Sequence, residues 1–549
     1  MVTPADLTDS IEELRALVLL QAKKHEEEKR QLESQHEQAI TEYSEEIAQL
    51  REYIRLFKSQ RFGSSSERSD SSQLGLFNEA EAESNANDSE TSGDEDSEEQ
   101  VGSVDIPAHS RKRRGGRKPL PDHLPREEIV HDLPEHEKVC ANDPEHHLTR
   151  IGEEKSERLV LRPAELHVEV HIRPKYACGS CKDGVKCEPP PPSPIPKSMA
   201  SPSLLAQIVT SKFVDGMPLH RQQKMFARIG IDLPRATMAS WMMRCAELAE
   251  PLTDLILESI RNGDHVLADE TSFQVLKEKG KTAQSKSQLW ALRGEDPAHP
   301  LLYYEYAPTR SGEVAQALLD GFKGFLQTDG YKGYDRFDEA PGVVHVGCFA
   351  HARRKFDEAL RGQGRSKKKS KPGPKKRLAE QGLLRINKLY EIERGYKNAS
   401  PEERYELRKE ELAPRLADLR EWIDASKDRV PPKSLTGKAI DYLDGQWPKL
   451  MRVLDDGRLQ LDTNAVERAI RPFVIGRRGW LFADTPRGAT ASARLYTLVE
   501  TAKANGVEPW AYLEKLFSLL PMATCRADHE ALLPWRVELE PSGERLTQS

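Results

Sequence analysis

Three acidic residues stand where acids are expensive. The stretch HVLADETSFQVL (265–276) reads as a buried β-strand through Val266, Leu267, Phe273, Val275 and Leu276, yet Asp269 and Glu270 sit in its middle. An ionised carboxylate buried there needs a cation, a basic partner or several hydrogen bonds to offset its lost hydration. A second run, GFLQTDGYKGYD (324–335), climbs through Phe325 and Leu326 and delivers Asp329 where Gly330 breaks the strand. In DTNAVERAIRPF (462–473), Ala465, Val466, Ala469 and Ile470 have helical spacing and place Glu467 beside Arg468 and Arg471. Carboxylates at strand ends are well placed to share a metal, so Asp269, Asp329 and Glu467 form the candidate triad. Glu270 competes with Asp269, because adjacent strand residues point to opposite faces and only one can aim at the site. Glu467 has a purely local alternative, a capping box with Asn464. Arg468, Arg471, Arg477 and Arg478 either hold nucleic-acid phosphates or merely offset the acids.

A second kind of chemistry is carried by sulfur. Cys178 and Cys181 have the two-residue spacing that lets both thiolates reach one tetrahedral zinc, and the strand pattern of 165–176 leads into them as in a zinc ribbon. Two further ligands are needed. Cys140 with His146 or His147 lies upstream, and Cys187 is the alternative fourth ligand. Cys348 and His351 form a CxxH at the end of a strand-like run, 343–351, where packing or support of the acidic site is favoured over metal ligation.

The remaining composition bounds what surrounds these residues. With 549 residues and 37% hydrophobic content, the chain is long enough for several domains, with much linker or exposed helix. It has neither an apolar run of about 18 residues nor a basic-then-apolar start, so neither a membrane span nor a signal peptide is expected and the cytoplasm is the expected compartment. Seven cysteines spread over this length suit a reducing compartment and a metal site. The net charge of −7 misleads, because residues 67–105 hold thirteen acids and one base and the rest is positive by five.

Along the chain, residues 7–60 lack proline and glycine and read as one long helix (domain 1–62). Ile11, Leu14 and Val18 begin a heptad seam that thins at Gln21, His25 and Glu28; Ile40, Tyr43, Ile47, Leu50, Ile54 and Phe57 resume it. A dimeric coiled coil is expected, against a solitary helix packed on the body. Residues 63–110 are an acidic linker unable to bury enough apolar surface to fold. The segment 111–197 combines a basic arm, with Arg111, Lys112, Arg113, Arg114, Arg117 and Lys118 suited to a phosphate backbone, and the cysteine module. Residues 198–262 read as consecutive helices of helix-turn-helix dimensions, for which DNA contact and plain packing stay open. From 263 to 360 the order is three strands, a helix, a strand, a helical connection and a strand, the order of a ribonuclease-H-like mixed sheet. Residues 361–455 are a basic loop and an all-helical insertion, 456–505 bring Glu467, a short strand at 480–482 and a long apolar helix from Thr490, and 506–549 add a C-terminal helix and tail. The expected class is multidomain α+β.

These motifs together resemble the transposases of the insertion sequence 66 family (TnpC type). The resemblance runs through RFGSSSER (61–68), IGEEKSERL (151–159), RPKYACGSC (173–181), ADETSF, QTDGYKGYD, GCFAHARRKF (347–356), NAVERAIRPFVIGRRGWLF and NGVEPWAYLEKL (505–516). It implies a DDE-type enzyme that binds the ends of an insertion sequence and catalyses strand cleavage and strand transfer. The catalytic acids carry over to Asp269, Asp329 and Glu467, clamping two magnesium (or manganese) ions about 3.5–4 Å apart. Structural zinc, DNA ends and target, homo-oligomerisation and small accessory proteins of the same element are implied as partners. Relatives commonly show a second CxxC before IGEE; here that stretch runs Cys140-Ala-Asn-Asp-Pro-Glu-His146-His147. A catalytically silent DNA-binding regulator is the competing function, and intact acids at all three positions favour the enzyme.

Overall fold

The computed structural model describes residues 11–62, 190–296, 298–363 and 377–539, together with the short stretches 139–140, 143–147, 168–172, 175–177 and 185–187. The chain divides into two units, residues 1–87 with 193–537 and residues 88–192 with 538–549.

Within the first unit a five-stranded mixed sheet carries the site. Strand β5 (His265–Gln274) pairs antiparallel with β6 (Lys286–Gly294), which pairs antiparallel with β7 (Leu301–Ala307). On its other side β5 runs parallel to β8 (Gly324–Gln327), and β8 parallel to β9 (Val343–Val346), giving the order β7-β6-β5-β8-β9. The central strands are apolar on both faces, as a covered sheet requires: Val266, Leu267 and Ala268 of β5 and Leu289 to Leu292 of β6 are all buried. The free edge of β7 is closed by the helix Pro486–Ala504. Thr497 Oγ1 accepts from Tyr304 N at 2.9 Å, and Thr501 Oγ1 accepts from Leu302 N at 3.2 Å and donates to its carbonyl at 2.9 Å. Two threonines therefore satisfy an edge that would otherwise invite pairing with another chain.

Three local expectations change. The run 343–351 is a strand only to Val346; Gly347 N donates to Lys449 O and Phe349 N to Leu461 O, and the helix Phe349–Gln363 begins there. The strand expected at 480–482 is absent, because the helix Asn464–Trp480 runs to its C-cap at Leu481, whose φ of 68° turns the chain away. Extended pairing resumes only at Ala483, bridged to Val275. The long apolar helix starts at Pro486, capped by Thr485, four residues ahead of Thr490.

The helices Pro202–Phe213, Leu219–Arg228, Arg235–Leu248 and Glu250–Asn262 share one hydrophobic core with the sheet and with the C-terminal helices. Phe213 packs edge-on against Tyr496 and Trp480, with ring centroids 4.6 and 6.2 Å apart. Packing thus accounts for their buried faces. The helical insertion has its own core, built on Phe356, Ile386, Leu389, Leu416, Trp422 and Ile440. It is stapled by Arg408, fully buried, which donates to both oxygens of Glu393 and to the carbonyls of Val453, Asp456 and Leu459 at 2.5–3.0 Å.

The N-terminal helix, Ile11–Phe62, is a single run of 52 residues. Its C-terminal end docks on the insertion: Leu56 is buried there, Glu52 accepts from Leu435 N at 3.3 Å, and Lys438 meets Tyr53. The seam residues Ile40, Ile47, Leu50, Ile54 and Phe57 stay exposed. No helix among the described residues is long and apolar enough to cross a membrane.

In the second unit, β1 (Val139–Cys140) pairs antiparallel with β2 (Asp143–His147), and β3 (Lys175–Ala177) with β4 (Val185–Cys187). Residues 168–172, expected as part of a longer strand, carry no strand pairing; among the described residues β3 spans Lys175–Ala177. Cys178, Cys181 and the arm 111–118 lie outside the described residues, as do the linker 63–110 and the basic loop at 364–376.

Candidate active site

The topology brings the three acids to one place. Asp269 sits in mid β5, opposite Ala291 of β6. The parallel register of β8, with Val266 beside Leu326 and Leu267 beside Gln327, places Asp329 just past the adjacent strand end. Glu467 lies in the first turn of the helix Asn464–Trp480, where backbone N–H groups favour a carboxylate. Each acid raises the cost of the next. Asp269 is pushed well above the usual carboxylate range by burial, then by Glu270, Glu467 and Asp329 in turn, while only the Glu270 N–H, 2.8 Å from its Oδ1, opposes this. Glu467 is raised chiefly by burial, with Arg354 pulling it down and Asp462 and Asp329 pushing it up. Asp329 accepts from Tyr331 N at 2.9 Å, which closes the turn beyond the strand.

Glu467 is not part of a capping box. Thr463 is the N-cap and makes no side-chain cap bond to the helix; its N and Oγ1 donate instead to Cys348 Sγ at 3.3 and 3.4 Å. The thiol is pushed up to about 12, first by burial, and stays protonated at neutral pH. His351 Nδ1 stands 3.3 Å from the same sulfur and its Nε2 3.7 Å from Glu467. Burial, then Arg354, pushes His351 down to about 4, so the ring beside Glu467 is neutral. Cys348 and His351 thus meet the start of the Glu467 helix from the loop and helix after β9.

The sequence reading did not single out Arg354, whose guanidinium lies 3.7 Å from Glu467, or Arg310, Tyr331 and Tyr334, which surround Glu270 and Asp329. GCFAHARRKF and DGYKGYD contain three of these four residues, and that is the only signal that could have found them. Glu270 is engaged by protein partners: its carboxylate pairs with Arg310 and accepts from Tyr334 Oη at 2.8 Å. Arg468 and Arg478 are exposed, and Arg471 is half-buried and close enough to lower the Glu467 pKa. Arg477 differs from them, since it donates to the Ser272 carbonyl and fastens its helix to the end of β5.

Among the described residues, no three His, Cys, Asp or Glu side chains are drawn together tightly enough to form a ready-made metal cage. The chemistry of the donors nevertheless fits a hard divalent cation: the groups are partly buried carboxylates, mutually repelling, with less positive charge around them than negative.

Comparison with known proteins decides the family. A family model described as "Transposase IS66 family" matches residues 197–491, more than half the chain and all three acids. The chain belongs to the IS66 transposase family. Three further models of this family match: "Transposase C of IS166 homeodomain" at 49–129, "zinc-finger binding domain of transposase IS66" at 137–182, and "IS66 C-terminal element" at 497–535. Among curated relatives, the uncharacterized protein y4qI of Sinorhizobium fredii is 32% identical over 567 residues, covering 99% of this chain and 100% of its own. The uncharacterized protein y4jD of the same organism is 33% identical, covering 77% of this chain and 83% of its own. As an IS66 family member the chain joins a DDE transposase domain to a zinc-finger domain, and Asp269, Asp329 and Glu467 lie inside the first.

Proposed function

We propose that this protein is a DDE transposase that binds the ends of an insertion sequence and catalyses metal-dependent strand cleavage and strand transfer, with Asp269, Asp329 and Glu467 as the catalytic acids. The observation that carries this reading is the convergence of one acid from a central strand, one from the adjacent strand end and one from a helix after the insertion. The sheet supports a ribonuclease-H-like fold, because its three antiparallel strands are followed by two parallel ones on the far side of β5.

The three acids would hold magnesium or manganese. Bound there, divalent ions supply positive charge at the attacking and leaving oxygens of phosphoryl transfer. Asp269 is fixed by its pairing with β6, two residues past the end of the β8 ladder, and gives the site its rigid wall. Asp329 is held by its own turn, and Glu467 by a helix whose first turn is tied to Cys348 and faced by His351 and Arg354. Arg468, Arg471 and Arg478 lie along that helix, where they would meet the DNA phosphates; Arg477 has a structural role first.

The remaining parts suit the handling of DNA ends. Zinc would be held by Cys140, His146, Cys178 and Cys181, all within the match to the zinc-finger model, which ends before Cys187. The arm 111–118 would follow a phosphate backbone. The uncovered seam of the N-terminal helix suits a coiled coil with a second copy, which would pair two ends. A cytoplasmic location follows from this role. The test is incubation of the purified protein with labelled element ends and magnesium: a nick that leaves a 3′-hydroxyl at the element boundary is expected. Binding without cleavage at any divalent-ion concentration would instead mark a silent regulator.

A further inference from the structure

Glu270, next to Asp269 on β5, is an acid at this site that the proposed reaction leaves without a role. Its side chain is 1% exposed, against 12% for Glu467, and a carboxylate buried that far needs a charge partner and hydrogen bonds to offset its lost hydration. One oxygen pairs with Arg310 and the other accepts from Tyr334 Oη at 2.8 Å. Both partners lead to Asp329. The Arg310 guanidinium lies over the Tyr331 ring, 3.8 Å from its centroid, and Tyr331 Oη donates back to the Arg310 carbonyl. Tyr331 N in turn donates to Asp329 Oδ1 at 2.9 Å. Tyr334 lies in the 3₁₀ turn Lys332–Phe337 that follows, buried edge-on against Trp290, the β6 residue paired with Glu270.

The turn has no slack to find this position by itself. A side chain on Gly333 would run into the Tyr331 ring, and one on Gly312 would lie 2.5 Å from the Gly333 carbonyl. The backbone of 330–335 is therefore pressed between the segment after β7 and its own aromatic rings, with Glu270 bonded to Tyr334 directly and joined to Tyr331 through Arg310.

We infer that Glu270 is a positioning residue, which through Arg310, Tyr331 and Tyr334 sets the turn carrying Asp329 against Asp269. The inference rests on the reading of Asp269 and Asp329 as metal-holding acids. It distinguishes two neighbours on one strand: Asp269 would hold the metal itself, and Glu270 acts on Asp329 through protein.

The experiment uses the full chain as wild type, Glu270→Ala, Glu270→Gln, Tyr334→Phe, the Glu270→Ala/Tyr334→Phe double variant, and Asp329→Asn. Manganese binding to the DNA-free protein is measured by paramagnetic resonance, and cleavage of an end-containing duplex is followed against magnesium concentration. Glu270→Ala should weaken manganese binding and raise the magnesium needed for half-maximal cleavage about tenfold, while duplex affinity stays within twofold. Tyr334→Phe, which removes only a hydroxyl, should move both in the same direction by about threefold. The double variant should be no worse than Glu270→Ala, because both act through one turn. Glu270→Gln should lie between wild type and Glu270→Ala, since an amide can keep the Tyr334 bond. An unchanged metal requirement in Tyr334→Phe and in Glu270→Ala overturns the inference, as does a loss in Glu270→Gln equal to that of Asp329→Asn, which would make Glu270 a ligand. If Glu270→Ala fails to fold, Tyr334→Phe decides alone. Wild-type manganese binding and cleavage in Asp329→Asn would overturn the metal-site reading itself, and is told apart by that variant.

Discussion

Replacing Asp269 by Asn should stabilise the metal-free protein while abolishing its chemistry. Burial and three neighbouring acids hold the Asp269 carboxyl well above its ordinary range, so the ionised form is disfavoured by the fold. The sign of the effect follows. A folded-state pKa raised above the unfolded one gives stability that is present at low pH and lost as pH rises through the folded value. Asparagine removes the ionisation and keeps the shape, so its advantage should be small near pH 4 and grow toward neutrality. Like charges roughly 5–8 Å apart at an effective dielectric of about 20 repel by about 2–3 kcal/mol. After allowing for the weaker bond that a neutral amide oxygen accepts from the Glu270 N–H, a net gain of about 1–2 kcal/mol is expected. At about 2–4 °C per kcal/mol for a unit of this size, the unfolding midpoint should rise by roughly 2–8 °C. Magnesium should reverse the order: at about a hundred times its dissociation constant a ligand adds roughly 2.7 kcal/mol to the protein that binds it, and the variant has lost a ligand. The assay is thermal unfolding of both proteins at pH 5 to 8, with chelator and with magnesium. A variant less stable than wild type in chelator at every pH, with no differential response to magnesium, would refute this electrostatic account.

Three further outcomes follow from the packing. Ile47→Glu with Ile54→Glu should abolish self-association in sedimentation while leaving the unfolding midpoint unchanged, since both side chains are exposed; Leu56→Ala, buried against the insertion, should instead cost about 2–3 kcal/mol of stability. Arg408→Ala should cost about 3–5 kcal/mol, because it strands Glu393 and three carbonyls; denaturant unfolding of the insertion would show this, and a loss below 1 kcal/mol would contradict it. Metal analysis should find one zinc per chain, released by Cys178→Ser without loss of the sheet's circular dichroism; a metal-free wild type would dismiss the ligand set.

The sheet was legible because its strands announce themselves separately. Each is a short apolar run bounded by Gly, Pro or Asp, and their order with one intervening helix leaves few topologies. Asp329 and Glu467 were legible for a local reason, since one ends a strand at a glycine and the other sits at a helix start. What failed was set by distant partners. VVHVGCFAH looks like one strand, but Gly347 and Phe349 bond to Lys449 and Leu461, about a hundred residues later. Residues 203–260 leave DNA contact and packing both open in sequence, since nothing within them shows that their buried faces are covered by helices beyond 480. Glu270 and Arg310 are 40 residues apart, and no periodicity connects them. Trp480-Leu481-Phe482 has strand composition, yet the left-handed backbone of Leu481 ends a helix there.

The central claim is that Asp269, Asp329 and Glu467 act on DNA as one metal-holding set. Its most direct test measures duplex binding and strand cleavage side by side, in magnesium, for Asp269→Asn, Asp329→Asn and Glu467→Gln on an end-containing duplex. Removing charge that holds metal, while sparing the surfaces that grip DNA, should leave binding within about twofold and lower cleavage by orders of magnitude in all three. Full cleavage by the Asp329→Asn protein, or a loss of binding that matches the loss of cleavage, would contradict it.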